Sequence, residues 1–307
     1  DSFGASLAAA RIVENLGTNA NIVIDYESLE EKTKGVVEML RSNPDYKGLM
    51  LTISEALEKA NKNTLLISVD NHKDSLAISR SVLDKVKNKV IIDHHRRSEE
   101  FISSPVLTYL EPSASSTVEL LVELFDYQQH EIEISSLDAT IMYTGMLVDT
   151  NYFRQHVGTR TFQSAAKLKE AQADLSLAYE LLEDSFECMK EIFDITESAY
   201  RYKDKFLIAT GKDEELSRST LAKAANQLVY VSGIYAAFAI GYISKNTVAI
   251  SARSSKKVNV QMIMENDALH GGGHFSMAAC QIENVTIEEA KERLEHAIDA
   301  YLEDRGV

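Results

Sequence analysis

Proline and glycine are scarce, 3 and 13 residues in a chain of 307, which excludes a collagen-like or low-complexity chain. Cysteine is rarer still. Cys188 and Cys280 stand far apart with no Cys-x-x-Cys pair, so neither a disulfide framework nor a zinc ribbon can be built. That usage fits a reducing, intracellular compartment. No apolar run approaches the ~20 residues that span a bilayer, and no charged-then-apolar leader opens the sequence. Positive charge is also short: 32 Lys and Arg face 47 Asp and Glu, net -15, so the overall field repels polyanions. A phosphate-bearing ligand therefore needs local cations.

What is present is a globular composition, 45% hydrophobic and 26% charged, long enough for two domains. Helical spacing over 2–16 ends at Gly17, and the apolar run 21–25 reads as a strand. Helices follow near 29–40 and 54–60, then a strand over 64–70. A helical pattern over 74–86 precedes the strand 89–93, and another strand runs over 106–110. Continuous apolar runs suggest strands covered on both faces, and alternation with helices implies a parallel sheet. Ser113 to Thr117 offer N-cap hydroxyls for the helix through Phe125, and a helix over 135–148 ends at Asp149.

Further helices are expected over 162–171, 175–182 and 186–202. Beyond Lys205 the pattern changes to strands near 206–210, 234–243 and 247–252, with helices near 219–229 and 287–302. The expected fold class is α/β, a doubly wound, mainly parallel sheet joined by a helical connector to a smaller α/β domain. The expected boundaries are 1–184, 185–204 and 205–307. Phe186, Met189, Phe193 and Tyr200 recur at helical spacing and suggest interdomain packing, with a homodimer interface as the sharper alternative.

Chemistry-bearing residues stand at the ends of apolar elements: Asp70 after Leu65-Leu66-Ile67, His94 and His95 after Val90-Ile91-Ile92, and Asp149 after Met146-Leu147-Val148. In an open parallel sheet, ligands bind beyond the carboxyl ends of strands. Asp1 opens a helix and is able to join them. Taken singly, each of these Asp and His residues reads better as a helix cap or solvent-facing residue, but a structural role rarely requires Asp93, His94 and His95 together at one strand end. Carboxylates with imidazole and no thiolate suit manganese, iron or zinc of a catalytic kind.

Later in the chain, Gly271-Gly272-Gly273 lets backbone amides approach an anion, with His274 and Arg253 as added donors. His72, His130, His156, His270 and His296 read as surface or packing residues.

Asp1-Ser2, Val69-Asp70, Asp93-His94-His95 and Gly145-Met146-Leu147-Val148-Asp149-Thr150, taken in order, resemble the DHH phosphoesterase superfamily. Gly271-Gly272-Gly273-His274 resembles the signature of its DHHA1 partner domain. Ser251-Ala252-Arg253-Ser254-Ser255, Asn259-Val260 and Ser115-Ser116-Thr117-Val118-Glu119-Leu120 are similar to the DHH-DHHA1 region of GdpP-type cyclic di-AMP phosphodiesterases.

The resemblance implies a two-manganese site, with Asp70 bridging and Asp1, His94 and Asp149 completing one metal. Asp70, His94, His95 and Asp149 are then the catalytic set, and His95 lies beside the substrate phosphate. Arg253, Ser254, Gly271, Gly272, Gly273 and His274 are expected to bind substrate. The family's first motif reads His-x-x-x-Asp-x-Asp-Ser, and this sequence begins at its closing Asp1-Ser2. The ligands of the second ion therefore lie upstream, as expected of a fragment excised from a membrane-anchored parent with this region on its cytoplasmic side. The implied partner is a small cyclic dinucleotide, with no long nucleic acid and no membrane contact. The implied reaction opens cyclic di-AMP to 5′-pApA; a short-oligonucleotide or pAp hydrolase and a non-cleaving sensor are the alternatives.

Overall fold

The computed structural model describes residues 1–255 and 257–304, which divide into two compact units meeting between Glu183 and Asp184. The first opens with α1 (Ser2–Asn15), which buries Leu7, Ala8 and Ala10. Gly17, at φ 75°, follows its end. Strands β1 (Ile22–Ile24) and β2 (Met50–Thr52) pair in parallel around α2 (Glu31–Ser42). A capping box between Thr52 and Glu55 starts α3 (Ile53–Lys59).

Then β3 (Leu65–Val69), α4 (Arg80–Lys85), β4 (Asn88–Asp93) and β5 (Leu107–Leu110) build a parallel sheet of order β3-β4-β5. Four helices complete the unit: α5 (Thr117–Leu124), α6 (Ser136–Asp149), α7 (Thr159–Glu170) and α8 (Leu175–Glu180).

The parallel α/β architecture matches the expectation with two differences. The strands form two small sheets, and Leu65 of β3 and Leu107 of β5 are 49% and 53% exposed, so neither strand is covered on both faces along its length. The helix expected over 74–86 is reduced to a 3-10 turn, Asp74–Leu76, and the short α4. The Ser79 hydroxyl accepts from the Val82 amide and sets a new helix start there.

In α6, Met142, Met146 and Leu147 are fully buried, each contributing about 1.5–3 kcal/mol over an exposed position. Gly145 faces the start of α1, where an added Cβ would lie 3.3 Å from the Asp1 Cα. That close approach sets Asp1 beside the last turn of α6, which ends at Asp149.

The second unit begins with α9 (Phe186–Glu197), β6 (Tyr200–Tyr202), β7 (Phe206–Glu215), α10 (Arg218–Val229), β8 (Ala236–Ser244) and β9 (Thr247–Ser254). It ends with α11 (Val260–Met264), β10 (Gly272–Gly273), β11 (Met277–Glu283) and α12 (Ile287–Glu303). Its sheet has the order β10-β11-β9-β8-β7-β6, and only β7 and β8 run parallel. Ile192, Ile195, Leu221 and Leu228 cover one face; Ile263, Ile287, Leu294 and Ile298 cover the other.

The helix expected over 186–202 stops at Glu197, and 200–202 pairs with β7 as a strand. The Tyr200 and Tyr202 hydroxyls donate to Glu295 and Asp299 of α12, at 2.5 and 2.9 Å, which holds the segment extended on the sheet. In α9, Ile192 and Ile195 face the core while Phe186, Met189 and Phe193 are exposed; the apolar stripe is turned outward. Among the described residues no helix is long and apolar enough to cross a membrane.

Candidate functional site

Strand β3 delivers Asp70 in the left-handed region, φ 59°, immediately after its last residue. Strand β4 ends in Asp93 and delivers His94 and His95 beside it. Helix α6 delivers Asp149 as its final residue, where the carboxylate adds to the negative end of the helix dipole. Asp1 heads α1 but makes no side-chain cap bond there. Its carboxylate instead accepts from the Thr117 and Val118 amides at the start of α5.

Ligand atoms of Asp1, Asp70, His94 and Asp149 all lie within 4.8 Å of one another, as do those of Asp70, His94 and His95. His94 Nε2 is 3.1 Å from Asp149 Oδ2 and 3.5 Å from Asp70 Oδ1. Its Nδ1 donates to the Ala114 carbonyl at 3.3 Å, which aims Nε2 into the acids. The Ser2 hydroxyl donates to Asp70 Oδ2 at 2.5 Å, and the Thr117 hydroxyl to Asp70 Oδ1 at 3.1 Å.

Burial, then the negative charge of Asp149, raises the Asp70 pKa against the lowering bond from Ser2. Burial disfavours the His94 cation, yet the hydrogen bond and charge of Asp149, with the charge of Asp70, raise its pKa overall. Among the described residues no lysine or arginine forms an ion pair with Asp70 or Asp149. Three carboxylates and one oriented imidazole, partly buried and short of positive charge, fit a divalent cation.

Asp93 is fully buried and shared. His95 Nδ1 and the His95 amide donate to Oδ1 at 2.7 and 3.0 Å, and His72 Nδ1 donates to Oδ2 at 2.5 Å. Although burial works against its charge, the side-chain bonds from His95 and His72 hold Asp93 far below the usual carboxylate range. The Asp93 bond, ahead of the opposing burial, raises the His95 pKa.

In the second unit a cavity of about 350 Å³ is lined by Arg218, Leu221, Ser251, Arg253, Gly272 and Gly273 among others. Arg253 Nε donates to Asn226 Oδ1 at 3.0 Å, and Nη1 to the Ala252 carbonyl at 2.9 Å and the Ser251 hydroxyl at 3.3 Å. Among the described residues no carboxylate pairs with it, and burial lowers its pKa. A guanidinium in that setting favours an anion.

Gly273 has φ 148°, and an added Cβ would meet the Ala278 Cα and Met277 carbonyl oxygen at 2.5 Å; at Gly271 it would meet the Ala279 oxygen at 2.5 Å, while Gly272 faces open space.

The structure thus gathers Asp1, Asp70, His94, His95 and Asp149 in one place, and Arg253, Gly272 and Gly273 around one cavity. Gly271 and the exposed His274 adjoin that cavity without lining it. Ser254 departs from expectation: it is 2% exposed, and its hydroxyl donates to the Val258 carbonyl at 2.5 Å. His72, expected as a surface or packing residue, is buried, and its ring also holds Asp93. Ser2 and Asn226 had no expected role, and Thr117 was expected only as an N-cap hydroxyl, whereas its hydroxyl reaches Asp70. Each is adjacent in sequence or on a cap to something noticed, but its bond runs to a distant residue.

Residues 1–146 match the DHH family, N-terminal domain, and residues 203–304 the DHHA1 domain. The chain is 40% identical over 302 residues to the cyclic-di-AMP phosphodiesterase PdeA of Listeria monocytogenes, covering 98% of this chain and 46% of that protein. It is 38% identical over 306 residues to the cyclic-di-AMP phosphodiesterase GdpP of Bacillus subtilis, 99% of this chain and 46% of that protein. The chain therefore spans under half the length of either relative. Among solved structures, an exopolyphosphatase-related protein from Bacteroides fragilis shares the fold, with a TM-score of 0.78, 19% identity, and coverage of 98% of this chain and 88% of that one.

Proposed function

The chain joins a DHH-family domain to a DHHA1 domain and belongs to the DHH–DHHA1 phosphoesterases, and from that membership we propose that it opens cyclic di-AMP to linear 5′-pApA. The observation that carries this reading is the cluster of Asp1, Asp70, His94 and Asp149, with ligand atoms within 4.8 Å, in a chain similar along nearly its whole length to two cyclic-di-AMP phosphodiesterases.

Those four residues would hold manganese, which suits carboxylates and imidazole without thiolate. When bound there, the metal supplies an activated water and positive charge against the phosphorus. His95, its Nδ1–H held by Asp93 and its cation favoured by that bond, acts as the doubly protonated ring: it gives its Nε2 proton to the leaving 3′-oxygen as the P–O bond breaks and is left as the Nδ1–H tautomer. Arg253, Gly272 and Gly273, with His274 beside them, bind a phosphate of the nucleotide.

The net charge of -15 supports a small dinucleotide over long nucleic acid. The wider setting we propose is a longer, membrane-anchored protein that exposes this region to the cytoplasm, with a homodimer formed through Phe186, Met189 and Phe193.

The test is manganese-dependent turnover of cyclic di-AMP, pApA and cyclic di-GMP in parallel, with products separated by chromatography. Conversion of cyclic di-AMP that stops at pApA supports the proposal. Preferred cleavage of pApA to AMP moves the protein to the short-oligonucleotide hydrolases. Tight binding without turnover by metal-loaded protein makes it a sensor.

A further inference from the structure

Asp93 offers two carboxylate oxygens, and each is claimed by a different imidazole. Oδ2 is held from the inside by His72, which is 1% exposed; Oδ1 is held from the outside by His95, whose side chain is 44% exposed. The inner ring is itself fixed. Nε2 of His72 lies 3.2 Å from the Ser98 hydroxyl oxygen, whose proton goes to the Glu100 carbonyl at 2.6 Å, and 3.3 Å from the Ser98 amide, which donates to it. The amide hydrogen is fixed by the backbone and points at Nε2, so Nε2 is an acceptor and the ring carries its proton on Nδ1, the atom that faces Asp93. The Ile102 amide also donates to the His72 carbonyl at 2.8 Å, and the Phe101 ring lies 5.3 Å from the imidazole.

We propose that His72 is a positioning residue for His95, acting through the Asp93 carboxylate that the two rings share. An exposed imidazole turns easily about its terminal torsion, and without His72 the carboxylate would be held only through Oδ1, by the His95 ring and the His95 amide, and would be free to turn about that oxygen. With Oδ2 pinned by a buried ring, Oδ1 stays where it selects the Nδ1–H tautomer of His95 and sets the ring plane. His95 then stands with its ring centroid 4.5 Å from that of His94. The same arrangement of carboxylate and imidazole orients catalytic histidines generally. A structural role alone would require only that the buried charge of Asp93 be compensated; the division of its two oxygens between an inner and an outer ring goes further. The inference rests on the reading of His95 as the group that meets the substrate.

The experiment combines long-range nitrogen–proton correlation spectra of the histidine rings in metal-free protein with kcat and KM for cyclic di-AMP in the manganese-loaded protein. Recorded where the rings are neutral, the wild-type spectrum should show the Nδ1–H tautomer at both His72 and His95; the neutral Nε2–H tautomer at His95 overturns the proposal without any variant. In His72→Phe the His95 pattern should become mixed and kcat should fall by about 10- to 100-fold, with KM within about twofold. In His72→Asn, whose amide nitrogen replaces Nδ1 as donor, both should largely return, and this variant decides the matter if His72→Phe does not fold. An unchanged His95 ring in a folded His72→Phe protein, or a changed ring with wild-type kcat, overturns the proposal. His95→Ala separates the two readings: wild-type kcat there removes the role of His95 itself, whatever His72 does.

Discussion

Thr117 and Asp1, 116 positions apart, meet at 2.6 Å, the Thr117 amide donating to Asp1 Oδ2, and the hydroxyl of the same threonine donates to Asp70 Oδ1 at 3.1 Å. One residue at the start of α5 therefore holds two of the acids of the metal cluster. Thr117→Val keeps the amide and the shape and removes only the hydroxyl. The dissociation constant for manganese should rise about 10-fold, read by calorimetric titration, with a stability loss of about 1 kcal/mol. Unchanged affinity would show that the hydroxyl does not orient Asp70.

Asp70 occupies the left-handed region at φ 59°, which asparagine tolerates well. Asp70→Asn should therefore fold, keep the bond from Ser2, and lose a negative charge at the centre of the cluster. Turnover should be abolished and manganese affinity reduced at least about 10-fold. Wild-type turnover in this variant would remove Asp70 from the metal site.

The glycine loop separates shape from binding. Gly273→Ala and Gly271→Ala force a Cβ to within 2.5 Å of backbone and should destabilise the second unit by about 1–3 kcal/mol. Gly272→Ala enters open space and should leave the thermal midpoint unchanged. If the loop binds phosphate, Gly272→Ala and Arg253→Ala should both weaken substrate binding in folded protein. Equal affinity in both would end the anion-cradle reading.

Burial pushes the Cys280 thiol from its ordinary 9.0 up to about 12, and Tyr202 is also pushed up to about 12, by burial and then its bond to Asp299. Groups with raised folded values stabilise fully below their unfolded values and lose that contribution as pH rises toward the folded ones. Stability should thus fall between about pH 9 and 12, by at most about 1.4 kcal/mol per pH unit for each proton. Cys280→Ala should flatten the slope of denaturant-derived stability in that window. An identical slope in variant and wild type would show that the thiol ionises in the folded state.

How far the sequence reached depends on the range of the interaction. Val90-Ile91-Ile92 running straight into Asp93-His94-His95 is a local pattern, and so are the strand before Asp70 and the helix before Asp149. Periodicity alone places those groups at element ends. The failures lie where a side chain finds a partner that the apolar period does not show. The 186–202 stretch keeps helical spacing throughout, yet the Tyr200 and Tyr202 hydroxyls find Glu295 and Asp299 nearly 100 positions away and hold a strand instead. Ser254 sits in the stretch that suggested substrate binding, but its buried hydroxyl donates to the Val258 carbonyl.

By itself the sequence determined the parallel α/β class of the first unit and the identity and order of the acids and histidines at its element ends, because apolar period and its interruption are written within a few residues. Only the tertiary structure decided which of those groups meet and what steadies them. Ser2 reaches Asp70 across 68 positions and His72 reaches Asp93 across 21. Arg253 reaches Asn226 across 27. A buried polar group must find a partner wherever packing brings one, and packing joins residues whose separation along the chain leaves no trace in any local pattern.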